Sequence, residues 1–150
     1  MDYKTLMQVP LFKNLSQGDL EKVLQLAFTK EYKKGFTLFF EGMQGGILYV
    51  ILDGKIDLYK KNKAGEDTFL ISISKGDYMG ELSLIDDDYR SATAKISIDS
   101  NLLLITRKVF NDIITKEPGI ALKILLNITK KLSERLKTMN DKLIKLEANE

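Results

Sequence analysis

Between Thr29 and Thr106 the chain never sustains one apolar period for long. Short apolar or alternating runs are cut every few residues by glycine. The runs expected to be strands are Phe36–Phe40, Ile47–Leu52, Lys55–Lys61, Thr68–Ser74, Ala92–Ile98 and Leu102–Ile105. Between them lie Glu41-Gly42, Gly45-Gly46, Asp53-Gly54, Ala64-Gly65 and Lys75-Gly76-Asp77. Asp-Gly between two β-rich runs is a hairpin signal, so Asp53-Gly54 is expected to turn the chain back. Short strands at this spacing predict a mainly β barrel or sandwich, not βαβ units. The alternation Lys55-Ile56-Asp57-Leu58-Tyr59-Lys60 predicts one wet face and one core face. Gly35, Gly42, Gly54 and Gly76 are expected at turns with positive φ. Tyr49, Phe36, Phe39 and Phe40 are expected in the core.

Helical patterns flank this block. Ser16 and Asp19 form an S-x-x-D capping pattern ahead of Leu20, Val23, Leu24 and Ala27, and Leu6, Val9, Leu11, Phe12 and Leu15 form a short apolar lead-in. After the block, Thr106 is an N-cap candidate for Arg107–Lys116, with Val109, Phe110, Ile113 and Ile114 on one face. Glu117-Pro118-Gly119 breaks that helix. From Ile120 to Glu147 there is neither proline nor glycine, which predicts one long helix. Along it Leu132, Leu136, Met139, Leu143 and Leu146 recur at spacings of 4, 3, 4 and 3, a heptad stripe suited to a homodimer. Packing of the helix on its own barrel is the alternative. The organisation expected is a single domain over 1–150, with N-terminal helices 1–28, a β block 29–106 and C-terminal helices 107–147; no second domain is expected.

Composition narrows the chemistry. The 150 residues include no His, no Cys and no Trp. A histidine triad, a cysteine nucleophile, a thiolate or imidazole zinc site, a haem held by His or Cys and a disulfide are therefore excluded. With 23 Lys and Arg against 21 Asp and Glu, the net charge of +2 argues for neither nucleic acid nor an anionic membrane as partner. No run approaches a membrane span, and Met1-Asp2-Tyr3-Lys4 is not followed by an apolar signal core, so a cytoplasmic location is expected.

The residues best suited to chemistry lie together in Gly80-Glu81-Leu82-Ser83-Leu84-Ile85-Asp86-Asp87-Asp88-Tyr89-Arg90-Ser91-Ala92-Thr93-Ala94. Leu82–Ile85 allows one helical turn after Gly80, whose free amides suit an anion. Arg90, on a loop before a strand, can return its fork to that anion. If the strand begins at Ser91, then Ser91 and Thr93 share a face and add hydroxyls. Glu81 would repel a phosphate and is better used accepting from the hydroxyls of a sugar. The combination implies a pocket for a small group that carries both an anion and hydroxyls. The alternative is a surface turn with an ordinary Arg–Asp pair.

This segment resembles the phosphate-binding cassette of the cyclic nucleotide-binding domains found in the catabolite activator protein and in the regulatory subunit of cAMP-dependent protein kinase. Arg90 follows Glu81 by nine residues, as in the kinase-type cassette. Lys34-Gly35, Phe40-Glu41-Gly42, Tyr49-Val50-Ile51, Gly54-Lys55-Ile56 and Val9-Pro10-Leu11-Phe12 match that family's pattern over about residues 8–140. The resemblance implies a double-stranded β-helix, or jelly-roll barrel, with N-terminal helices and a long C-terminal helix. It implies a non-enzymatic sensor of cAMP first and cGMP second, with no cofactor or metal. Its partners would be the nucleotide, a second copy of the chain through the C-terminal helix, and a separate effector protein. Glu81, aided by Gly80, would accept the ribose 2′-hydroxyl. Arg90, Ser91 and the amides of Leu82 and Ser83 would hold the phosphate, Thr93 would face the base, and Arg135 with Leu136 would approach the base from the long helix. From its charged neighbours, Arg135 is equally read as a solvated side chain.

The chain departs from that pattern in two places: Tyr89 stands where many members have proline, and Asp86-Asp87-Asp88 where they have glycine. One of these carboxylates is a candidate partner for Arg90 in an empty pocket. Their spacing does not fit an EF-hand. Two other functions fit the sequence: a ligand-free jelly-roll scaffold for oligomerisation, and a truncated transcription regulator.

Overall fold

The computed structural model describes residues 3–86 and 89–149. Helix α1 spans Tyr3–Met7, a single 3-10 turn Pro10–Phe12 follows, and α2 spans Gln17–Leu26. The predicted capping box closes α2. The Ser16 hydroxyl accepts from the Asp19 amide at 3.1 Å, and the Asp19 carboxylate accepts from the Ser16 amide at 3.1 Å. Six strands follow: β1 Phe28–Tyr32, β2 Thr37–Phe39, β3 Ile47–Lys61, β4 Asp67–Ser74, β5 Tyr78–Met79 and β6 Thr93–Thr106. Helices α3, Arg107–Lys116, and α4, Pro118–Ala148, complete the chain.

All pairings are antiparallel, in the order β1-β6-β3-β4, with β2 also on β6 and β5 also on β3. The fold is thus a predominantly antiparallel sheet with helices. Its centre is the long β3·β6 pair, which is buried on both faces where the sequence is continuously apolar. Leu48, Val50, Leu103 and Ile105 face the core shared with α1–α4, while Tyr49, Ile51, Leu102 and Leu104 face a second core with Phe39, Ile56, Ile73, Met79, Ala94 and Ile96. The eight apolar residues at 48–51 and 102–105 are therefore divided between two cores.

Several expectations change. Asp53-Gly54 makes no hairpin: Ile47–Leu52 and Lys55–Lys61 are one strand. Gly54, at φ 110°, sits in an irregularity of the ladder opposite Asn101 and Ser100. A Cβ there would lie 2.6 Å from the Ser100 Cα, and the Ser100 hydroxyl accepts from the Lys55 amide at 3.1 Å. The dipeptide signals positive φ, and here that need comes from close strand contact and not from a turn. Ala92–Ile98 and Leu102–Ile105 likewise fuse into β6. The strand β1 was not anticipated, because its FTKEY sequence is mostly exposed and carries no apolar alternation. Phe39 and Tyr49 are core residues, but Phe36 and Phe40 are more than half exposed, since they fall just outside β2. The Ala64-Gly65 turn is present, closed by the Asn62 side chain accepting from the Ala64 and Glu66 amides.

The break at Glu117 is where expected. Glu117 leaves helical geometry at φ −137°, ψ 64°, α3 ends at Lys116, and Pro118 opens α4. Helix α4 has 31 residues, roughly 46 Å at 1.5 Å per residue. Its first half is anchored by Ile120, Ala121, Ile124 and Ile128, whereas residues 133–149 are exposed throughout.

Candidate functional site

Gly80–Ser83 and Tyr89–Ser91 form one wall of a cleft of about 230 Å³, lined also by Phe39, Leu58, Ile73, Met79, Ala92 and Arg135. Of the residues singled out in the sequence, Gly80, Glu81, Leu82, Ser83, Arg90, Ser91 and Arg135 all line this cleft. Thr93 is not among its lining residues. The strand starts at Thr93, so Ser91 is exposed on the loop while Thr93 is buried, and the Thr93 hydroxyl accepts from the Glu41 amide at 2.9 Å.

Gly80 sets the local geometry. It has φ 84° and leads into a one-turn 3-10 helix, Glu81–Leu84, in place of the turn expected over Leu82–Ile85. A Cβ on Gly80 would lie 2.6 Å from the Ile47 carbonyl and 2.7 Å from Arg90 Nη1. Only glycine fits both the backbone angle and the close approach of that guanidinium. The Ser83 amide donates to the Gly80 carbonyl at 3.0 Å, so it is used inside the turn and not offered to the cleft.

Arg90 is held from both ends. Its amide donates to the Met43 carbonyl at 2.6 Å and its carbonyl accepts from the Gly42 amide at 2.8 Å. Nη2 donates to the Ile47 carbonyl at 2.9 Å, and the guanidinium carbon lies 4.2 Å from the Phe39 ring centroid and 5.7 Å from that of Tyr49. Arg90 is only 8% exposed, its Nε has no hydrogen-bond partner, and no carboxylate pairs with it among the described residues. Burial pulls its pKa below the ordinary arginine value. Among the described residues, two aromatic faces and one carbonyl support this buried guanidinium and no carboxylate does. Asp86 is not that partner: its carbonyl instead accepts from Arg107 Nη2 at 2.6 Å. Asp87 and Asp88 lie outside the described residues.

Glu81 shows the opposite condition. Its carboxylate is 3% exposed and takes Arg135 Nη1 at 2.6 Å from across the cleft. Arg135 is therefore not simply solvated; it is half-exposed and reaches in from α4. Sequence reasoning missed a second cation one helical turn earlier. Lys131 Nζ donates to Asp77 Oδ1 at 2.9 Å and to the Tyr78 carbonyl at 3.0 Å, and sits 3.6 Å from the Tyr78 ring centroid. The i, i+4 spacing of Lys131 and Arg135 was the available signal, but a helix face gives no partner until its register on the sheet is known. The Tyr78 hydroxyl is buried without a partner; burial, then the charge of Glu81, raise its pKa. Arg107 was also missed as a connector. Its Nη2 donates to the Ser83 carbonyl at 2.7 Å as well as to Asp86, tying the first residue of α3 to the 3-10 turn.

The cleft thus offers one uncompensated buried cation and one buried acceptor, with hydroxyls at Ser83 and Ser91. Among the described residues, no group of three or more carboxylates is placed to hold a metal, and no helix is long and apolar enough to cross a membrane.

Comparisons with known proteins agree with this geometry. The family model for the cyclic nucleotide-binding domain matches residues 29–117, more than half of the chain. The Cyclic AMP receptor protein of Thermus thermophilus is 29% identical over 125 residues, covering 83% of this chain and 58% of that protein. The cAMP-dependent protein kinase regulatory subunit of Mycosarcoma maydis is 33% identical over 106 residues, covering 69% of this chain and 20% of that one. The chain therefore spans only part of the length of these relatives. Among solved structures, the Thermus thermophilus Catabolite Activator Protein superposes with a TM-score of 0.82 at 28% identity, covering 92% of this chain and 63% of that chain. With the cassette geometry, the match over residues 29–117 establishes that this chain belongs to the cyclic nucleotide-binding domain family.

Proposed function

We propose that the chain is a single-domain, non-enzymatic cyclic nucleotide sensor, for cAMP first and cGMP second, built on the jelly-roll form of the antiparallel sheet and acting in the cytoplasm. The observation that carries this reading is the pairing of opposites in one cleft: Arg90 buried without a counter-anion among the described residues, and Glu81 buried as a hydrogen-bond acceptor. A cyclic phosphodiester supplies the single negative charge that Arg90 lacks, and a ribose hydroxyl supplies a donor for Glu81. Gly80, Leu82, Ser83 and Ser91 close the phosphate side; the Ser83 contribution is its hydroxyl, since its amide is used in the turn. Thr93, behind the lining, acts here through its hydrogen bond from the Glu41 amide. The order of nucleotides follows the relatives, where cAMP receptors and kinases stand beside cGMP-dependent kinases. Among the described residues the carboxylate lining the cleft is that of Glu81, which Arg135 occupies, and this supports binding over hydrolysis as its task.

Binding is coupled to the helices by a population shift. Closing the 3-10 turn on the phosphate moves Ser83 and Asp86, and Arg107 carries that movement to α3. Helix α3 packs on α4 across Glu117-Pro118, where the backbone changes direction. The output is the exposed stripe Leu136, Met139, Leu143 and Leu146, each more than half exposed, presented to a second copy of the chain or to an effector.

The test is a thermal-shift and calorimetric panel over cAMP, cGMP and cyclic dinucleotides. A saturating ligand at about 100 times Kd adds about 2.7 kcal/mol, which raises Tm by roughly 5–11 °C in a domain of this size. Absence of a shift with any purine cyclic nucleotide refutes the reading and favours the ligand-free scaffold.

A further inference from the structure

Resting on the cyclic nucleotide reading, we propose that Met43 is a modification site: a hydroperoxide oxidises its thioether to the sulfoxide, and the change weakens ligand binding by disturbing the loop that holds Arg90. That loop follows Phe39, whose ring lies 4.2 Å from the Arg90 guanidinium carbon. The Gly42 amide donates to the Arg90 carbonyl at 2.8 Å, and the Met43 carbonyl accepts from the Arg90 amide at 2.6 Å. At the far end the Ile47 carbonyl accepts from Nη2 at 2.9 Å. Local propensity does little to keep the loop in shape, because it contains Gly42, Gly45 and Gly46, with φ of 86° at Gly42 and 127° at Gly46. It is closed instead by contacts between Phe40 and Met43. The Met43 amide donates to the Phe40 carbonyl at 3.1 Å, and the Phe40 amide donates to Met43 Sδ at 3.3 Å. The sulfur is thus part of the turn that positions Arg90.

Solvent reaches this residue: Met43 is half-exposed, whereas Met79 in the cleft wall is buried. In the reaction a sulfur lone pair attacks one oxygen of hydrogen peroxide. The O–O bond breaks, an S–O bond forms, and the other oxygen leaves as water. The sulfur gives up an electron pair and the peroxide is reduced. An apolar side chain becomes a polar, chiral one. The sulfur, already a weak acceptor, now carries partial positive charge and no longer accepts from the Phe40 amide. The sulfoxide oxygen is the better acceptor but lies one bond farther out. To use it the turn must change shape; otherwise the Phe40 amide turns to water. In both cases the backbone of Gly42 and Met43 shifts, and these residues hold the Arg90 main chain. Met7 in α1 and Met139 in α4 are comparably open to peroxide, but among the described residues neither hydrogen-bonds to this loop.

The test treats the full chain with hydrogen peroxide, maps sulfoxides by peptide mass spectrometry and measures cAMP affinity by calorimetry. Wild type oxidised at Met43 should bind cAMP about tenfold more weakly. Met43→Leu keeps the main-chain closure of the turn, so it should bind within about twofold of untreated wild type and lose nothing on treatment. A double variant, Met7→Leu with Met139→Leu, should remain as sensitive as wild type. Methionine sulfoxide reductases for both epimers should restore the affinity of oxidised wild type. Unchanged affinity at full Met43 oxidation overturns the proposal. So does an equal loss in treated Met43→Leu, or a loss the reductases do not reverse. Amide exchange of the ligand-free protein separates this proposal from the sensor reading. Exchange over residues 40–47 and 89–93 should accelerate on oxidation of wild type and not of Met43→Leu. Unchanged exchange refutes the coupling of Met43 to Arg90 even if no nucleotide binds, whereas failure of untreated wild type to bind any cyclic nucleotide refutes only the functional reading.

Discussion

Gly80→Ala tests the site at the point where backbone and ligand chemistry meet. The native φ of 84° costs a non-glycine residue about 1–2 kcal/mol. The new methyl would also lie 2.6 Å from the Ile47 carbonyl and 2.7 Å from Arg90 Nη1, both inside contact distance. The guanidinium tip can swing aside, but the carbonyl belongs to β3 and moves only with the strand. Relief of the clash therefore breaks the 2.9 Å bond from Arg90 to Ile47, worth about 1 kcal/mol more. The expected loss is about 2–4 kcal/mol, or roughly 5–15 °C in Tm. Arg90 leaves its position over Phe39, so cAMP affinity falls by more than about tenfold. Gly65→Ala is the matched control: its φ is 81°, a Cβ there meets nothing within 4 Å, and it lies in the β3–β4 turn. It should show the backbone cost of about 1–2 kcal/mol alone, with binding unchanged. Urea denaturation and calorimetric titration of both variants decide the matter. If Gly80→Ala costs no more than Gly65→Ala and binds normally, the close approach of Arg90 to Gly80 is not what holds the site.

Other outcomes follow from the same contacts. Arg90→Met removes a buried charge that has no counter-anion among the described residues, so ligand-free Tm should rise in a thermal scan while cAMP binding falls by about tenfold to a hundredfold. Asp19→Ala should cost about 1 kcal/mol at neutral pH through loss of the capping box. The Asp19 pKa is lowered by the Ser16 amide and by Lys123, so this contribution is complete above the ordinary value of 3.8 and is lost as pH falls through the depressed one. Denaturation curves of wild type and Asp19→Ala should therefore converge in acid. The proposed pairing of two copies through α4 predicts a dimer in light scattering that Leu143→Glu converts to a monomer without changing helix content by circular dichroism, because the side chain is exposed in the single chain.

How much could be read in advance depends on whether a feature is local. The capping box at Ser16, the break at Glu117 and the turn at Asn62 are decided within a few residues, and the sequence shows them directly. Glu81 and Arg90 were legible as a pair because one short segment carries both. Strand fusion at Asp53-Gly54 was not, because the cause is Ser100 on another strand, forty-six residues away. Lys131 and Arg135 were visible as two cations on one helix face, but their partners depend on how α4 lies against β5. The partner of Thr93 was not legible either, because its hydroxyl accepts from the Glu41 amide, fifty-two residues away.

The unequal treatment of the two buried charges defines the ligand more narrowly than either charge does. Arg90 asks only for an anion, so inorganic phosphate or a simple phosphodiester could satisfy it. Such an anion brings no hydroxyl to Glu81, whose carboxylate keeps its bond to Arg135. A sugar without a phosphate could offer hydroxyls to Glu81, but it would leave Arg90 buried and unpaired. Only a molecule that carries an anion and a hydroxyl donor at a fixed separation engages both residues. Phosphate should accordingly stabilise the protein weakly, through Arg90 alone, and the nucleotide strongly, through both. A thermal shift with phosphate equal to that with cAMP would show that Arg90 alone carries the binding, and would remove Glu81 from the ligand site.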